Sequence, residues 1–430
     1  MSRDAEKLAL VARFVRVAWG RRLESGMALV ATAARVSLVA VFGPRLGLAL
    51  LALAAAGFLA WSPTRRWTLD LYHRERTERR CQKAFDAAGI EMWRAPAVTS
   101  DHVTPSGVVY GLGFSPRLPA DALSKLAEPL AVAFGAGAVR VHRDRARAGL
   151  GVLVVSYRDP LAEAPVAWPW SALERSDLWG GVPLGYDEDD ALVVLGLAGY
   201  HVLLGGEPGA GKSNALSLVV AAAALDPGVE LWCFDGKLVE LAQWRPVARR
   251  FVGPNLEEAT AVLKELQAEM DARYQWLEER KLRKIDRDSG RGLVLLVIDE
   301  MALYLQGKSK DHQELARVLH DIVARGRAAG VVVVGATQKP SADSVPTFIR
   351  DLFSCRLALR CSTSDASDTV LGTGWASKGY SASDIDPVTR GVGWLLAEAT
   401  VPRRMRCFVL CDEDLAVVAG RAEQLRGPSS

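Results

Sequence analysis

Cysteine is scarce. The six in 430 residues, Cys81, Cys233, Cys355, Cys361, Cys407 and Cys411, form no Cys-x-x-Cys pair and have no histidine cluster beside them. That excludes a disulfide scaffold and the common zinc modules, and several of these thiols stand in apolar runs, where reduced cysteine acts as a small hydrophobe. The reading is reduced thiols in the cytoplasm and no cysteine metal site. Charge of one sign is scarce too: 53 Lys/Arg against 50 Asp/Glu leave +3. A uniformly basic nucleic-acid coat is therefore excluded, and any polyanion must be met by local patches. The excess that exists is concentrated at the start. Residues 1–83 carry fifteen Lys/Arg against six Asp/Glu, leaving the remainder at −6.

A long unbroken apolar run is also missing. Met27–Trp61 is the apolar block, and Gly43-Pro44-Arg45 splits it into Met27–Phe42 and Leu46–Trp61. Sixteen helical residues reach about 24 Å, short of a hydrocarbon core of about 30 Å. Arg35 lies inside the first limb, which weakens the signal further. The flanks are basic on both sides, with Arg13, Arg16, Arg21 and Arg22 before and Arg65, Arg66, Arg74 and Arg76 after. That pattern favours a transmembrane hairpin with both ends in the cytoplasm. A buried helical pair and an uncleaved signal-like anchor are the alternatives.

What is present in strength is His201–Asn214, in which Gly206–Ser213 reads G-x-x-x-x-G-K-S. Glycines let successive backbone N–H groups turn inward around phosphate oxygens, and a helix starting there points its positive end at the same anion. Gly206, Glu207, Pro208, Gly209, Ala210 and Gly211 are the expected ATP cradle, continued by Asn214. Lys212 reaches the terminal phosphates and Ser213 ligates Mg²⁺. The flanks agree, since Tyr200–Leu204 reads as a buried strand and Asn214–Leu225 as a helix.

Leu293–Glu300 is a continuous aliphatic run ending in two carboxylates, 87 residues from Lys212 to Asp299. Such a run reads as a buried parallel strand delivering acid to the ligand crevice. Asp299 is expected to hold Mg²⁺ and Glu300 to orient and deprotonate the attacking water. The strand Val331–Gly335 leads to Gln338, which stands where a γ-phosphate sensor belongs. Val229–Phe234 ends at Asp235 and Lys237, either site residues or a local ion pair. Asn255-Leu-Glu-Glu258 opens a helix to about Arg283 with a capping box. Earlier, Gly107–Phe114, Ala138–His142 and Gly151–Tyr157 read as strands and Ala120–Phe134 as a helix. Arg140, Arg143, Arg145 and Arg147 read as a solvated hairpin tip before a DNA contact.

Gly205–Ser213, Asp235-Gly-Lys237, Ile298-Asp-Glu300, Ala324-Arg-Gly-Arg-Ala-Ala-Gly330 and Ala336-Thr-Gln-Lys-Pro-Ser341 together resemble the FtsK/SpoIIIE family of DNA-translocating ATPases. The likeness extends over most of 105–415. A single motor core behind a short apolar block is similar to the branch that moves conjugative plasmids between mycelial bacteria. The resemblance implies an α/β fold: a RecA-like P-loop NTPase core, a small preceding α/β domain and an N-terminal membrane hairpin. It implies a homo-hexamer moving double-stranded DNA, with an arginine from the neighbour completing each ATP site. Arg356 is that arginine by alignment, and Arg327 is the alternative. The implied role is plasmid or integrative-element transfer, or chromosome partition. Protein secretion by a similar ATPase is the second reading.

Two positions depart from the family pattern. Asp368 stands where an arginine precedes a pore-facing loop, so Lys378 or Arg390 would have to replace its DNA contact. After Leu410 too few residues remain for a winged helix. The expected layout is a basic cytoplasmic start (1–26), the hairpin (27–61), a basic juxtamembrane helix (62–83), the small domain (84–170), the motor (171–415) and a tail (416–430). The expected location is the cell membrane, with the motor in the cytoplasm.

Overall fold

The computed structural model describes residue 49 and residues 62–427 apart from 145, 339–343 and 398–399. The expected hairpin at 27–61 therefore lies outside the described residues, as does the start at 1–26. Among the described residues no helix is long and apolar enough to cross a membrane. The chain divides into two units, Met1–Asp159 and Pro160–Ser430. Residues 160–170, read from sequence as the end of the small domain, belong to the second unit. There the N–H of Trp168 donates to the carbonyl of Val409.

In the first unit, helix α1 (Ser62–Ala87) and strands β1 (Ala97–Val103), β2 (Gly107–Gly113), β3 (Ala138–Arg143) and β4 (Leu150–Ser156) surround one core. The sheet is antiparallel in the order β1-β2-β4-β3. Strand alternation turns Tyr110 and Leu112 inward beside Leu153 and Val155. Cys81, Ala84 and Phe85 of α1 join them, so this helix ends inside the small domain's core rather than before it. The helix expected over 120–134 is two, α2 (Ala120–Ser124) and α3 (Ala127–Phe134). Pro129 explains the break. Its ring would clash with the carbonyl of residue 125, and it offers no N–H to bond there. Strand β1 escaped the sequence reading because its side chains are almost all exposed and its apolar residues do not alternate.

The second unit holds a ten-stranded sheet: β5 (Val182–Asp187), β6 (Leu192–Leu195), β7 (Val202–Gly205), β8 (Glu230–Phe234), β9 (Arg250–Val252), β10 (Val294–Ile298), β11 (Val331–Thr337), β12 (Cys355–Leu359), β13 (Val392–Leu396) and β14 (Arg403–Cys407). Its order is β6-β5-β14-β13-β12-β7-β11-β10-β8-β9, parallel from β12 to β9 and antiparallel elsewhere. The period of two divides each core strand between two hydrophobic layers. Leu295 and Val297 of β10 face one layer, while Val294, Leu296 and Ile298 face the other.

Helix α4 (Lys212–Ala224) lies in the first layer. Its alanines allow close approach, and almost all of its residues are buried. The second layer is covered by α5 (Leu256–Glu279), α6 (Met301–Leu305) and α7 (Lys310–Arg325). Asn255 does cap α5, accepting from the N–H groups of Glu257 and Glu258. The short α8 (Thr347–Arg350) and α9 (Ser364–Leu371) follow, then α10 (Asp412–Arg426). Helix α10 corrects the expected tail at 416–430. Val418, Ala419 and Ala422 are buried in the first layer. Arg426 donates to the carbonyls of Ala223, Ala224, Asp226 and Val229, satisfying the open carboxyl end of α4.

Candidate nucleotide-binding site

Strand β11 lies between β7 and β10, so the carboxyl ends of three parallel strands present the phosphate loop, Gln338 and the Asp299–Glu300 pair side by side. The loop's shape depends on its glycines. Gly209 has φ +80° and Gly211 φ +103°, and a Cβ on Gly211 would fall 2.8 Å from the nitrogen of Gly391. Lys212 is the first residue of α4 and only 4% exposed. Its Nζ donates to Asp299 Oδ1 at 2.9 Å and to the Asp299 carbonyl at 3.0 Å.

Asp299 is fully buried, and its Oδ2 has no hydrogen-bond partner among the described residues. A carboxylate oxygen left bare in a dry site is costly unless a cation or a metal-bound water completes it. Ser213 follows Lys212, the residue bonded to Asp299, and lines the cavity beside the phosphate loop, so Ser213 and Asp299 are the residues that would hold Mg²⁺. Glu300 is held by backbone alone. Its Oε1 accepts from the Ala302 N–H at 3.4 Å, capping α6, and its Oε2 accepts from the Gln338 N–H at 3.0 Å. The carboxylate therefore bridges the tips of β10 and β11.

The loop encloses a cavity of about 340 Å³ with Gln338, Arg390, Cys407 and Val409 in its wall. Asn214, expected to continue the cradle, also ties α4 to the end of β14. Its Nδ2 donates to Phe408 O and its Oδ1 accepts from Leu410 N–H. Glu207 pairs with Arg360 at 3.1 Å and donates its N–H to the Arg360 carbonyl. Burial pushes the Cys407 thiol up to about 12, making it an inert wall group. Arg360 was missed as a site residue, and Arg390 was offered only as a DNA contact. Arg360 follows the apolar run of β12 and could have been found by the rule that singled out Asp235.

Other expected residues go elsewhere. Arg356 is the second residue of β12, and its guanidinium donates to the carbonyls of Phe353, Val370 and Arg350. Burial pulls its pKa below the usual guanidinium value. Arg327 sits at the opposite, amino ends of the strands, over the ring of Tyr200, and lines a separate cavity of about 660 Å³. Asp235 makes no ion pair with Lys237. It is fully buried and accepts three backbone N–H bonds, from Lys237, Leu238 and Leu241. Asp368 likewise turns inward, accepting from the N–H groups of Gly374 and Ala376 at 2.7 Å each.

A central parallel sheet, a phosphate loop before α4 and an acidic pair on β10 define a P-loop ATPase fold. Within it, residues 173–373 match the FtsK/SpoIIIE family. The chain is similar to DNA translocase FtsK of Corynebacterium glutamicum, 28% identical over 254 residues, covering 53% of this chain and 26% of the relative. It is also similar to DNA translocase FtsK of Halalkalibacterium halodurans, 24% identical over 367 residues, covering 78% of this chain and 44% of the relative. The chain thus spans between a quarter and a half of these curated relatives. The pCW3 conjugation coupling protein TcpA, solved with ATPγS, shares the fold at a TM-score of 0.55 and 18% identity, covering 82% of this chain and all of that one.

Proposed function

We propose that this chain is an ATP-driven translocase of double-stranded DNA, working as a homo-hexamer held at the cell membrane through residues 27–61. The observation that carries the reading is that Lys212 and Gln338 line one cavity, Lys212 bonded to Asp299 and the Gln338 N–H bonded to Glu300. The FtsK/SpoIIIE match and a conjugation coupling protein of the same fold support DNA as the cargo and plasmid or element transfer as the setting.

On ATP binding Lys212 exchanges its bond to Asp299 for the terminal phosphates, and the loop's N–H groups take the remaining oxygens. Ser213 and Asp299 would hold Mg²⁺, which would supply charge neutralisation. Glu300, fixed at both oxygens, orients a water and accepts its proton. Gln338 shares its backbone with that carboxylate, so movement of the β11 tip on loss of the γ-phosphate reaches Glu300 directly.

In a head-to-tail ring opposite faces of neighbouring protomers meet. Arg327, exposed at the far ends of the strands, is then a better trans-acting arginine than Arg356, whose guanidinium is occupied by its own chain. The test is ATP hydrolysis by the purified chain at low salt, with and without duplex DNA. Stimulation that weakens steeply with salt is expected. No stimulation by duplex DNA, with stimulation by a secreted protein instead, overturns the DNA reading in favour of a secretion ATPase.

A further inference from the structure

We propose that Arg390 binds the polyphosphate of the nucleotide and that Arg406 is its positioning residue. This rests on the ATP reading of the phosphate loop. The sequence offered Arg390 as a DNA contact, yet the residue lines the nucleotide cavity. The charges around that cavity are already committed, Lys212 to Asp299 and Glu207 to Arg360. Arg390 is exposed, and among the described residues nothing engages its guanidinium. A planar fork of N–H donors on the wall of a phosphate site is suited to bidentate contact with phosphate oxygens.

Its backbone is fixed to the phosphate loop itself. The Gly391 N–H donates to the Ala210 carbonyl at 2.9 Å, and the Gly391 carbonyl accepts from Cys407 N–H at 2.9 Å. Gly391 adopts φ +81°, and its nitrogen is the atom that a Cβ on Gly211 would strike. From behind, Arg406 Nε donates to the Arg390 carbonyl at 3.1 Å. The same guanidinium holds the carbonyls of Leu161 and Glu163, at the start of this unit. The turn carrying Arg390 is therefore set by the phosphate loop on one side and by residues 161–163 on the other. A displacement of that entering segment would move Arg390 relative to the nucleotide.

The experiment titrates the full chain with ATPγS and GTPγS, in parallel with duplex DNA, for the wild type and for Arg390→Gln, Arg390→Lys and Arg406→Gln. Arg390→Gln is expected to weaken both nucleotides equally, by roughly three- to tenfold for one exposed charge-assisted contact, with duplex affinity and melting temperature unchanged. Arg390→Lys recovers part of the loss. Arg406→Gln weakens nucleotide binding without touching it, raising KM more than it lowers kcat. Unchanged nucleotide affinity in Arg390→Gln, or a loss confined to duplex DNA, overturns the proposal. A loss that differs between ATPγS and GTPγS points to the base and overturns the polyphosphate assignment. Failure of the wild type to bind ATPγS overturns the nucleotide reading itself, and Arg390 with it.

Discussion

Lys212→Ala is the standard way to silence a phosphate loop, and here it should also destabilise the nucleotide-free fold. Lys212 and Asp299 form an ion pair with side chains 3% and 0% exposed. Removing one member of such a pair leaves a buried charge without a partner, which costs about 3–5 kcal/mol. The lysine borders a cavity that water can enter, so the low end, about 3 kcal/mol, applies. For a domain of this size 1 kcal/mol moves Tm by about 2–4 °C, giving a fall of roughly 6–12 °C. Replacing both partners, as Lys212→Met with Asp299→Asn, removes the orphaned charge and should recover most of the loss. Thermal melting and urea titration without nucleotide read both. If Lys212→Ala melts within about 1–2 °C of wild type, or the double variant is no better than the single one, the pair does not carry this energy.

Three further outcomes follow from the same geometry. Glu300→Gln keeps only one of the two backbone N–H contacts, because its amide NH2 cannot accept, and it cannot take a proton, so ATP turnover should fall about 10²–10⁴-fold while ATPγS binding persists; retained turnover removes Glu300 as the base. Arg426→Ala strips four carbonyls of their donor and should lower stability by about 3 kcal/mol in urea titration, with Arg426→Lys recovering less than half. His201 is held neutral inside the sheet, its Nδ1 accepting from Val333 N–H, and burial lowers its pKa to about 4 from 6.5. Its contribution is present above pH 6.5 and is lost as pH falls toward about 4, because only the unfolded state gains the proton readily. Up to roughly 3 kcal/mol is at stake, and His201→Gln should flatten that limb of the stability curve.

The parts of the site that could be read from sequence are those where one short segment carries both element and chemistry. The aliphatic runs ending at Gly205 and at Asp299 are continuous because their strands are buried on both faces. The loop between β7 and α4 likewise declares its glycines locally. What could not be read depends on contacts between distant segments. Arg390 is 178 residues beyond Lys212 in the chain, and only the pairing of β13 with β12 and β14 brings it to the loop. The same distance explains Arg356. Alignment fixed its place on β12 but not the three carbonyls that occupy its guanidinium. The tail was misjudged because α10 buries small alanines and one valine, a weak apolar stripe that only the packed α4 makes meaningful.

Asp368 shows how sign of charge misleads when partners are unknown. A carboxylate ahead of a DNA-facing loop should repel phosphate, and removing it should strengthen duplex binding. The inward bonds of Asp368 favour the opposite outcome. Both carboxylate oxygens are taken by N–H groups of the loop 372–379, which leaves Lys378 as the loop's exposed charge, lying over the ring of Trp375 at 4.8 Å. The carboxylate thus shapes the support for the cation. Asp368→Ala should free two N–H groups, loosen the turn and weaken duplex binding, whereas Lys378→Gln should weaken it while leaving the turn intact. Hydrogen exchange at Gly374 and Ala376 separates the two variants, rising only in the first. Tighter duplex binding by Asp368→Ala would show that its charge faces the DNA after all, and that the inward bonds do not decide its effect.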